Sequence, residues 1–171
     1  DRVSPAGLES KIAIQSLYAT KLMGVGEGGV ILTNSRAIAD HVRGWRDYAD
    51  QPPDGRRLND KMTDISAALG IVQLGRMPYI VRRRQQLAET YTKAFSAQSW
   101  LAQYVELPVC HESRVWYRYA VYLKHWSGAD VIARLRAAGV LADTPVCDWR
   151  PAGNAHGVIA DDAYRGIVSL P

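Results

Sequence analysis

Two short apolar segments near the N-terminus have the pattern of buried β-strands. One covers residues 12–17 and the other residues 30–33, and the connection between them is rich in glycine and contains Lys21. Short apolar runs bounded by glycine are typical of strands. The pattern therefore predicts that Lys21 lies in a loop between two strands, which is a frequent position for reactive side chains. The glycines would let the backbone approach a planar ligand or a neighbouring strand.

The next apolar residues follow a helical period. Asn34 or Ser35 is placed to cap a helix that runs to about residue 48. A second helix is predicted from a cap at Thr63 or Asp64 to about residue 76, because its apolar residues repeat at helical spacing. The stretch 50–59 between these helices contains two prolines, a glycine and several charges, so we expect an exposed loop there.

Pro78 is expected to interrupt the helical pattern. Proline has no backbone N–H and cannot continue the hydrogen-bond ladder of a helix interior. In the first turn of a helix that N–H has no partner in any case. We therefore predict that a third helix starts near Pro78 and runs to about residue 98.

From residue 115 the pattern changes to alternation. Residues 115–123 alternate over nine positions, which predicts a half-buried strand. Ser127 or Asp130 can begin a helix with apolar residues on one face, and Gly139 is placed to end it. Residues 140–146 are then expected to form the next strand.

The composition is that of a globular protein. The chain has 171 residues, of which 47% are hydrophobic and five are tryptophan. A chain of this length can bury a core of its own, and its apolar runs are too short to span a bilayer. The start of the chain, Asp1 to Pro5, lacks an initiating Met and the apolar core of a signal peptide, so we expect a cut or processed N-terminus.

Cysteine and histidine give little evidence for a metal site. The two cysteines, Cys110 and Cys147, are far apart in sequence, and the four histidines are scattered. Free thiols in a reducing cytoplasm are the default expectation, with a disulfide between the two cysteines as the alternative. No zinc site is predicted.

The formal charge of +4, with Arg82-Arg83-Arg84 as a basic run, raises the question of nucleic-acid binding. These arginines fall within a helical pattern, so at least part of the run is a solvated helix face. No recognition motif or regular interleaving of aromatic residues accompanies them. We therefore expect no nucleic-acid partner.

The loop around Lys21 carries a motif. Ser16, Lys21 and the run Gly26-Glu27-Gly28-Gly29 resemble the Ser-Phe-x-x-x-Lys and Thr-Gly-Glu-Gly-Gly motif of the DegT/DnrJ/EryC1/StrS family of sugar aminotransferases, which use pyridoxal 5'-phosphate (PLP). Leu17 stands where the family commonly has Phe, and Gly24-Val25 stands where a Thr pair is common. Neither change removes a reacting atom. Further matching blocks follow in the same order, at residues 30–34, 59–70 and 82–84.

The resemblance implies an α/β protein, part of the PLP-dependent transferase (aspartate aminotransferase-like) fold. Residues 1–76 would be the C-terminal part of the large PLP-binding domain, and residues 77–171 the small C-terminal α+β domain, truncated at its end. Most of the large sheet would lie upstream of this sequence, together with the phosphate cradle, the stacking aromatic residue and the Asp that pairs with the pyridine nitrogen. Ser169 to Pro171 would be the point where the family begins its last helix.

The resemblance also implies roles for three residues. Lys21 would form a Schiff base with PLP and then act as general acid and base; the alternative is an ordinary surface lysine. The Ser16 hydroxyl would donate to the cofactor phosphate; the alternative is a buried serine bonded to backbone. Asn59 would reach the phosphate of the neighbouring subunit; the alternative is a turn residue. We expect Glu27 to be structural.

A Schiff-base lysine also needs particular surroundings. A lysine amine in water has a pKa of about 10.4, and only its neutral form is a nucleophile. Apolar neighbours favour the neutral form. The residues expected to supply such surroundings are Tyr18, Leu22, Met23 and Val25.

The implied function is transamination of a nucleotide-linked keto sugar or a cyclitol, with an amino acid donor such as glutamate, in a cytoplasmic homodimer. Family members that act as sugar dehydratases carry His where this chain has Lys21, so the lysine favours transamination. A basic surface suits a substrate that bears a diphosphate. The alternative is a non-catalytic fragment or interaction module that keeps the fold with an incomplete site.

Overall fold

The computed structural model of the protein describes residues 11–47, 59–146 and 158–171. The chain divides into two compact units, Asp1–Ile80 and Val81–Pro171. Their described residues form a two-stranded sheet in the first unit and a three-stranded sheet in the second. The expected mixture of helices and strands is therefore confirmed. Residues 50–58 of the predicted loop, and Cys147, lie outside the described residues.

The first unit opens with a β-hairpin. Strand β1 (Ala13–Ser16) pairs antiparallel with β2 (Gly29–Leu32), and Ser16 lies opposite Gly29 at the end nearest the connection. Both predicted strands are confirmed with slightly different bounds. Their predicted burial is wrong for this structure, since Ile14 is 77% exposed. Each strand of a two-stranded sheet has only one neighbour, so the described residues leave much of these side chains exposed.

Helix α1 (Arg36–Arg46) begins at the predicted cap. The Ser35 hydroxyl accepts a hydrogen bond from the backbone N–H of Ile38 over 3.4 Å. Thr33 fixes the approach to the helix, because its hydroxyl donates to the carbonyl of Lys11 over 2.6 Å and accepts from the N–H of Ser35. These contacts connect the end of the hairpin to the start of the helix.

Helix α2 (Asp64–Ser96) contains 33 residues and runs through Pro78. The predicted break into two helices is wrong. Proline removes one hydrogen bond, to the carbonyl of Leu74, and costs about 3 kcal/mol in a helix interior. Pro78 is exposed and Leu74 is 62% exposed, so water can solvate the carbonyl that lost its donor. The hydrogen bonds on both sides then keep the helix continuous.

The second unit contains an antiparallel sheet in the order β3-β4-β5. Strand β4 (Tyr119–Leu123) lies in the centre and is the C-terminal half of the predicted strand at 115–123. Strands β3 (Val105–Glu106) and β5 (Ile167–Leu170) were not predicted. A strand of two residues is too short to show a period. Ser169 lies in β5, so the expectation that a helix begins there is wrong.

Helix α3 (Gly128–Ala137) confirms the predicted cap and end. The Ser127 hydroxyl accepts from the N–H of Asp130, and Gly139 follows the helix with a φ of 82°. The predicted strand at 140–146 is wrong: Asp143 forms an isolated bridge with Ser169 and no strand. A short 3₁₀ helix (Ser99–Gln103) precedes β3, and helix α4 (Val158–Gly166) precedes β5.

The core of the second unit is built around the central strand. Tyr119, Val121 and Leu123 alternate inward from β4 and are each at most 5% exposed. The Trp116 ring stacks on Tyr119 with ring centroids 5.4 Å apart. Burial raises the pKa of the Tyr119 hydroxyl above its ordinary value, while a hydrogen bond to Thr92 over 2.9 Å acts in the opposite direction. No helix in the described part of the chain is long and apolar enough to cross a membrane.

Candidate active site

The connection between β1 and β2 folds back on itself as a compact loop, called here the lysine loop (residues 17–28). The N–H of Leu17 donates to the carbonyl of Gly28 over 2.9 Å, and the N–H of Ala19 donates to Gly26 over 2.8 Å. A third bond, from the N–H of Val25 to the carbonyl of Leu17, closes the loop from within at 2.9 Å. The sequence predicted a loop at this place, and these bonds give it a defined shape.

Lys21 lies in a tight turn within the lysine loop. Its N–H donates to the carbonyl of Tyr18 over 2.8 Å. The backbone at Gly24 lies close to the backbone at Ala19: a Cβ added at Gly24 would lie 2.6 Å from the carbonyl oxygen of Ala19. Only glycine fits at position 24 without movement of the backbone. The Lys21 side chain is exposed.

Two glycines in the second half of the loop have positive φ angles, 95° at Gly26 and 141° at Gly28. Such angles favour glycine because residues with a Cβ are strained there. A Cβ at Gly28 would also lie 2.8 Å from Cε of Met62, whereas no atom of the described residues lies within 4 Å of a Cβ at Gly26. The loop is therefore tightly packed at Gly28 and open beside Gly26.

The predicted apolar surroundings are present in part. Leu17 is 2% exposed and Val25 is 5% exposed, and the two residues are joined by a backbone hydrogen bond within the loop that contains Lys21. Tyr18 is 47% exposed, and Leu22 and Met23 are partly buried. Among the predicted surroundings, Val25 is therefore buried, and Tyr18 is the most exposed.

Ser16 and Asn59 have different positions. Ser16 ends β1 in the same hairpin as Lys21 and is exposed, with its hydroxyl 3.4 Å from the N–H of Tyr18. Asn59 is exposed and precedes Asp60, whose N–H donates to the carbonyl of Arg46 at the end of α1. The structure therefore brings Ser16 and Lys21 into one hairpin and places Asn59 beside the end of α1.

Contacts from α2 to the lysine loop were not predicted from the sequence. Gln73 donates from Nε2 to the carbonyl of Gly24 over 3.4 Å, and Val25 Cγ1 lies 3.6 Å from the Cβ position at Gly70. The sequence shows that residues 59–70 match the family, but this match does not indicate which residues contact the lysine loop. Side-chain contacts between separate segments require the tertiary structure.

A shallow cavity in the second unit has an apolar wall that includes Phe95 and Val105 and a rim that includes Lys124. None of the predicted site residues lines it. Within the described ranges, no cluster of His, Cys, Asp and Glu could hold a metal ion.

Comparison with known proteins decides the family. The sequence profile of the DegT/DnrJ/EryC1/StrS aminotransferase family matches residues 4–164. The chain belongs to this family. The match includes all three predicted site residues, Ser16, Lys21 and Asn59.

One curated relative in this family matches over most of the chain. It is the UDP-4-amino-4,6-dideoxy-N-acetyl-beta-L-altrosamine transaminase of Helicobacter pylori, 22% identical over 174 aligned residues. The alignment covers 93% of this chain and 46% of the relative. The chain thus spans about half the length of this relative.

Solved structures show the same fold. Helicobacter pylori PseC, an aminotransferase involved in the biosynthesis of pseudoaminic acid, has a TM-score of 0.83 and 20% identity, over 100% of this chain and 50% of PseC. A structure described as a sugar aminotransferase, Spr1654 from Streptococcus pneumoniae in its PMP form, has a TM-score of 0.78 and 19% identity. That alignment covers 99% of this chain and 48% of Spr1654. The chain therefore has the fold of about half of an aminotransferase of this family.

Proposed function

We propose that the protein containing this chain is a PLP-dependent aminotransferase that acts on a nucleotide-linked keto sugar or a cyclitol, with glutamate as amino donor. The observation that carries the proposal is the position of Lys21. It lies in a closed turn of a glycine-rich loop, in a chain that belongs to an aminotransferase family. A catalytic lysine must be held in a fixed geometry and reach its ligand, and the closed turn and the exposed position of Lys21 support this role.

The residues of the hairpin fit the cofactor. The space beside Gly26 is open, and Lys21 and Ser16 are both exposed on the same hairpin. When bound, PLP supplies an aldehyde for a Schiff base with Lys21 and a ring that takes up electrons from the reacting carbon. The solved PMP form of Spr1654, which has the same fold, supports this cofactor.

Each of the three site residues has a proposed task. Lys21 Nζ anchors the cofactor and moves a proton at the reacting carbon. The Ser16 hydroxyl donates to the cofactor phosphate. This role is open to Ser16 because the residue is exposed and its hydroxyl makes only a long contact, 3.4 Å, as acceptor from the N–H of Tyr18. Asn59 contributes to the phosphate site of the other subunit in a homodimer.

Two observations support the proposed substrate class: the name of the Helicobacter pylori relative and the net charge of this chain. The Helicobacter pylori relative is named as a transaminase of a UDP-linked amino sugar. The net charge of +4 suits a substrate that bears a diphosphate. The carbon and the stereochemistry would be set by residues of the substrate pocket, which the family match does not assign in this chain.

One observation favours a second candidate. The Lys21 side chain is exposed in this structure, as in an ordinary surface lysine. A non-catalytic interaction module that retains the fold would also have an exposed lysine at this position. The two candidates differ in whether Lys21 reacts with PLP when the full-length protein is present.

A reduction experiment separates the two candidates. The full-length protein is incubated with PLP and reduced with borohydride, and we expect its intact mass to increase by one reduced cofactor per subunit. Peptide mapping is expected to place the adduct on Lys21. Lys21→Arg should abolish the adduct and lower transamination by more than about a thousandfold, because a covalent nucleophile is lost.

Lys11→Arg is the matched control, since Lys11 is also an exposed lysine of the first unit. It should form the adduct as the unmodified protein does. An unmodified mass for the full-length protein, or an adduct that persists in Lys21→Arg, would reject the aminotransferase proposal and favour the non-catalytic candidate.

A further inference from the structure

The lysine loop is held from outside by helix α2. The Gln73 side-chain amide donates to the backbone carbonyl of Gly24 over 3.4 Å. Apolar contacts accompany it: Val25 Cγ1 packs at Gly70, and the Met62 side chain packs at Gly28. Helix α2 and the residues just before it therefore contact the loop at Gly24, Val25 and Gly28.

The orientation of the Gln73 amide is fixed by a neighbour one turn along the helix. Arg76 Nη1 donates to Gln73 Oε1 over 3.3 Å. The reverse orientation would bring the amide oxygen against the Gly24 carbonyl and the NH₂ group against the guanidinium. Only the observed orientation satisfies both partners, so Arg76 directs the donor of Gln73 toward the loop.

The carbonyl that Gln73 contacts is at the base of the turn that contains Lys21. Gly24 lies so close to Ala19 that a Cβ there would be 2.6 Å from the Ala19 oxygen. The turn from residue 19 to residue 24 is therefore pinched at its base, and Lys21 lies between the two ends. A contact that fixes the Gly24 peptide also fixes the backbone from which Lys21 extends.

We propose that Gln73 is a positioning residue for Lys21, acting through the Gly24 carbonyl. This inference rests on the proposed function, in which Lys21 Nζ must lie within reach of the cofactor aldehyde and of the reacting carbon. A displacement of about 1 Å at a reacting group can lower a rate up to about a hundredfold. The Gln73 contact is long, so we expect an effect below that limit.

The test compares two substitutions in the full-length protein loaded with PLP. Gln73→Glu keeps the shape and replaces the donor by a carboxylate that repels the Gly24 carbonyl. Gln73→Met keeps the length and removes the donor without adding charge. Gln86→Glu is the control, because Gln86 is an exposed glutamine of the same helix. Rates are expressed per subunit that carries a borohydride-reducible cofactor, so that loss of folded protein does not enter.

For both Gln73 variants we expect kcat to fall about tenfold while KM for the amino donor changes less than about twofold. We also expect the pH midpoint of the visible cofactor absorbance to differ from that of the unmodified protein, because the environment of the bound amine changes. Gln86→Glu should match the unmodified protein in all three quantities. A role limited to stability would lower the thermal midpoint and leave kcat per loaded subunit and the absorbance titration unchanged.

The outcomes separate this inference from the function on which it depends. If the unmodified protein forms no adduct, the proposed function and this inference fail together. If it forms the adduct and both Gln73 variants keep kcat and the absorbance midpoint, only this inference fails. Failure of both variants to fold, with Gln86→Glu folded, would assign Gln73 to the stability of α2 and would also overturn it.

Discussion

Individual glycines set the geometry of the lysine loop. Gly24 allows the chain to approach Ala19, and Gly28 combines a φ of 141° with a close contact to Met62. Both are required for local steric reasons. Gly75 of α2 is a contrasting case, since a Cβ there would meet nothing within 4 Å.

Gly24→Ala tests the steric requirement in the loop. The added Cβ would lie 2.6 Å from a backbone oxygen, so the backbone must move and the turn that contains Lys21 must change. In the full-length protein we expect at least about a tenfold loss of the rate per loaded cofactor, by misplacement of the lysine. Steady-state kinetics combined with the borohydride adduct measures this loss.

Gly75→Ala is the control for that substitution. It adds the same methyl group to an exposed helical site and should stabilise the protein by about 0.5–1 kcal/mol without affecting the rate. Equal kinetics for Gly24→Ala and the unmodified protein would show that the loop tolerates a side chain at position 24.

Helix α2 shows how an element overrides a local signal. Pro78 is a strong helix breaker, and the sequence alone predicted a new helix at that position. The 33-residue helix instead continues through it, with Pro78 on an exposed part of the surface. The contacts that hold the lysine loop, from Gly70 and Gln73, come from the part of the helix before the proline.

Pro78→Ala should stabilise the protein. The backbone is already helical at position 78, and alanine restores the N–H donor to the Leu74 carbonyl without a clash. We expect the free energy of unfolding to increase by up to about 3 kcal/mol. Urea unfolding followed by circular dichroism measures the change.

Pro108→Ala serves as the comparison, because Pro108 lies outside the helices and strands. It should lower stability slightly or leave it unchanged, since proline restricts the unfolded chain. A loss of stability in Pro78→Ala would mean that the helix depends on the proline for its local bend.

The two units differ in how they bury apolar residues. Among the described residues of the second unit, nine form a buried core around β4. In the first unit, Leu17 and Val25 are the buried hydrophobic residues among those described, and large apolar side chains are exposed on the hairpin and on α2, with Ile14 at 77%, Ile65 at 84% and Ile71 at 74%. Such exposed apolar side chains are available for association with other protein surfaces.

We expect residues 1–171, produced alone, to self-associate. Sedimentation velocity over a range of concentrations should show species larger than a monomer. The double substitution Ile65→Gln and Ile71→Gln should shift the distribution toward monomer, because it removes apolar surface while keeping good helix formers.

Ala94→Gln, at an exposed site of the same helix, is the control and should leave the distribution unchanged. A monomer at all concentrations, before any substitution, would contradict the expectation that the exposed apolar residues of the first unit drive association.

The order of residues along the chain was enough to predict the family, the two strands around the lysine loop, and the caps of α1 and α3. These features are local, because a serine at a helix start or a glycine run between apolar segments acts on its own neighbours. The lysine motif can be recognised from the order of residues along the chain alone. The assignments of Ser16, Lys21 and Asn59 to cofactor binding remain predictions.

Features that depend on contacts between distant segments could be seen only in the tertiary structure. Strand β3 has only two residues, too few to show a period, and both β3 and β5 pair with β4 in the sheet. The continuity of α2 through Pro78 depends on the solvation of its exposed side, and the Gln73 contact to Gly24 joins residues 49 positions apart. Strand pairing, solvation of a helix and side-chain contacts depend on which residues are close in space, and this cannot be read from their order along the chain.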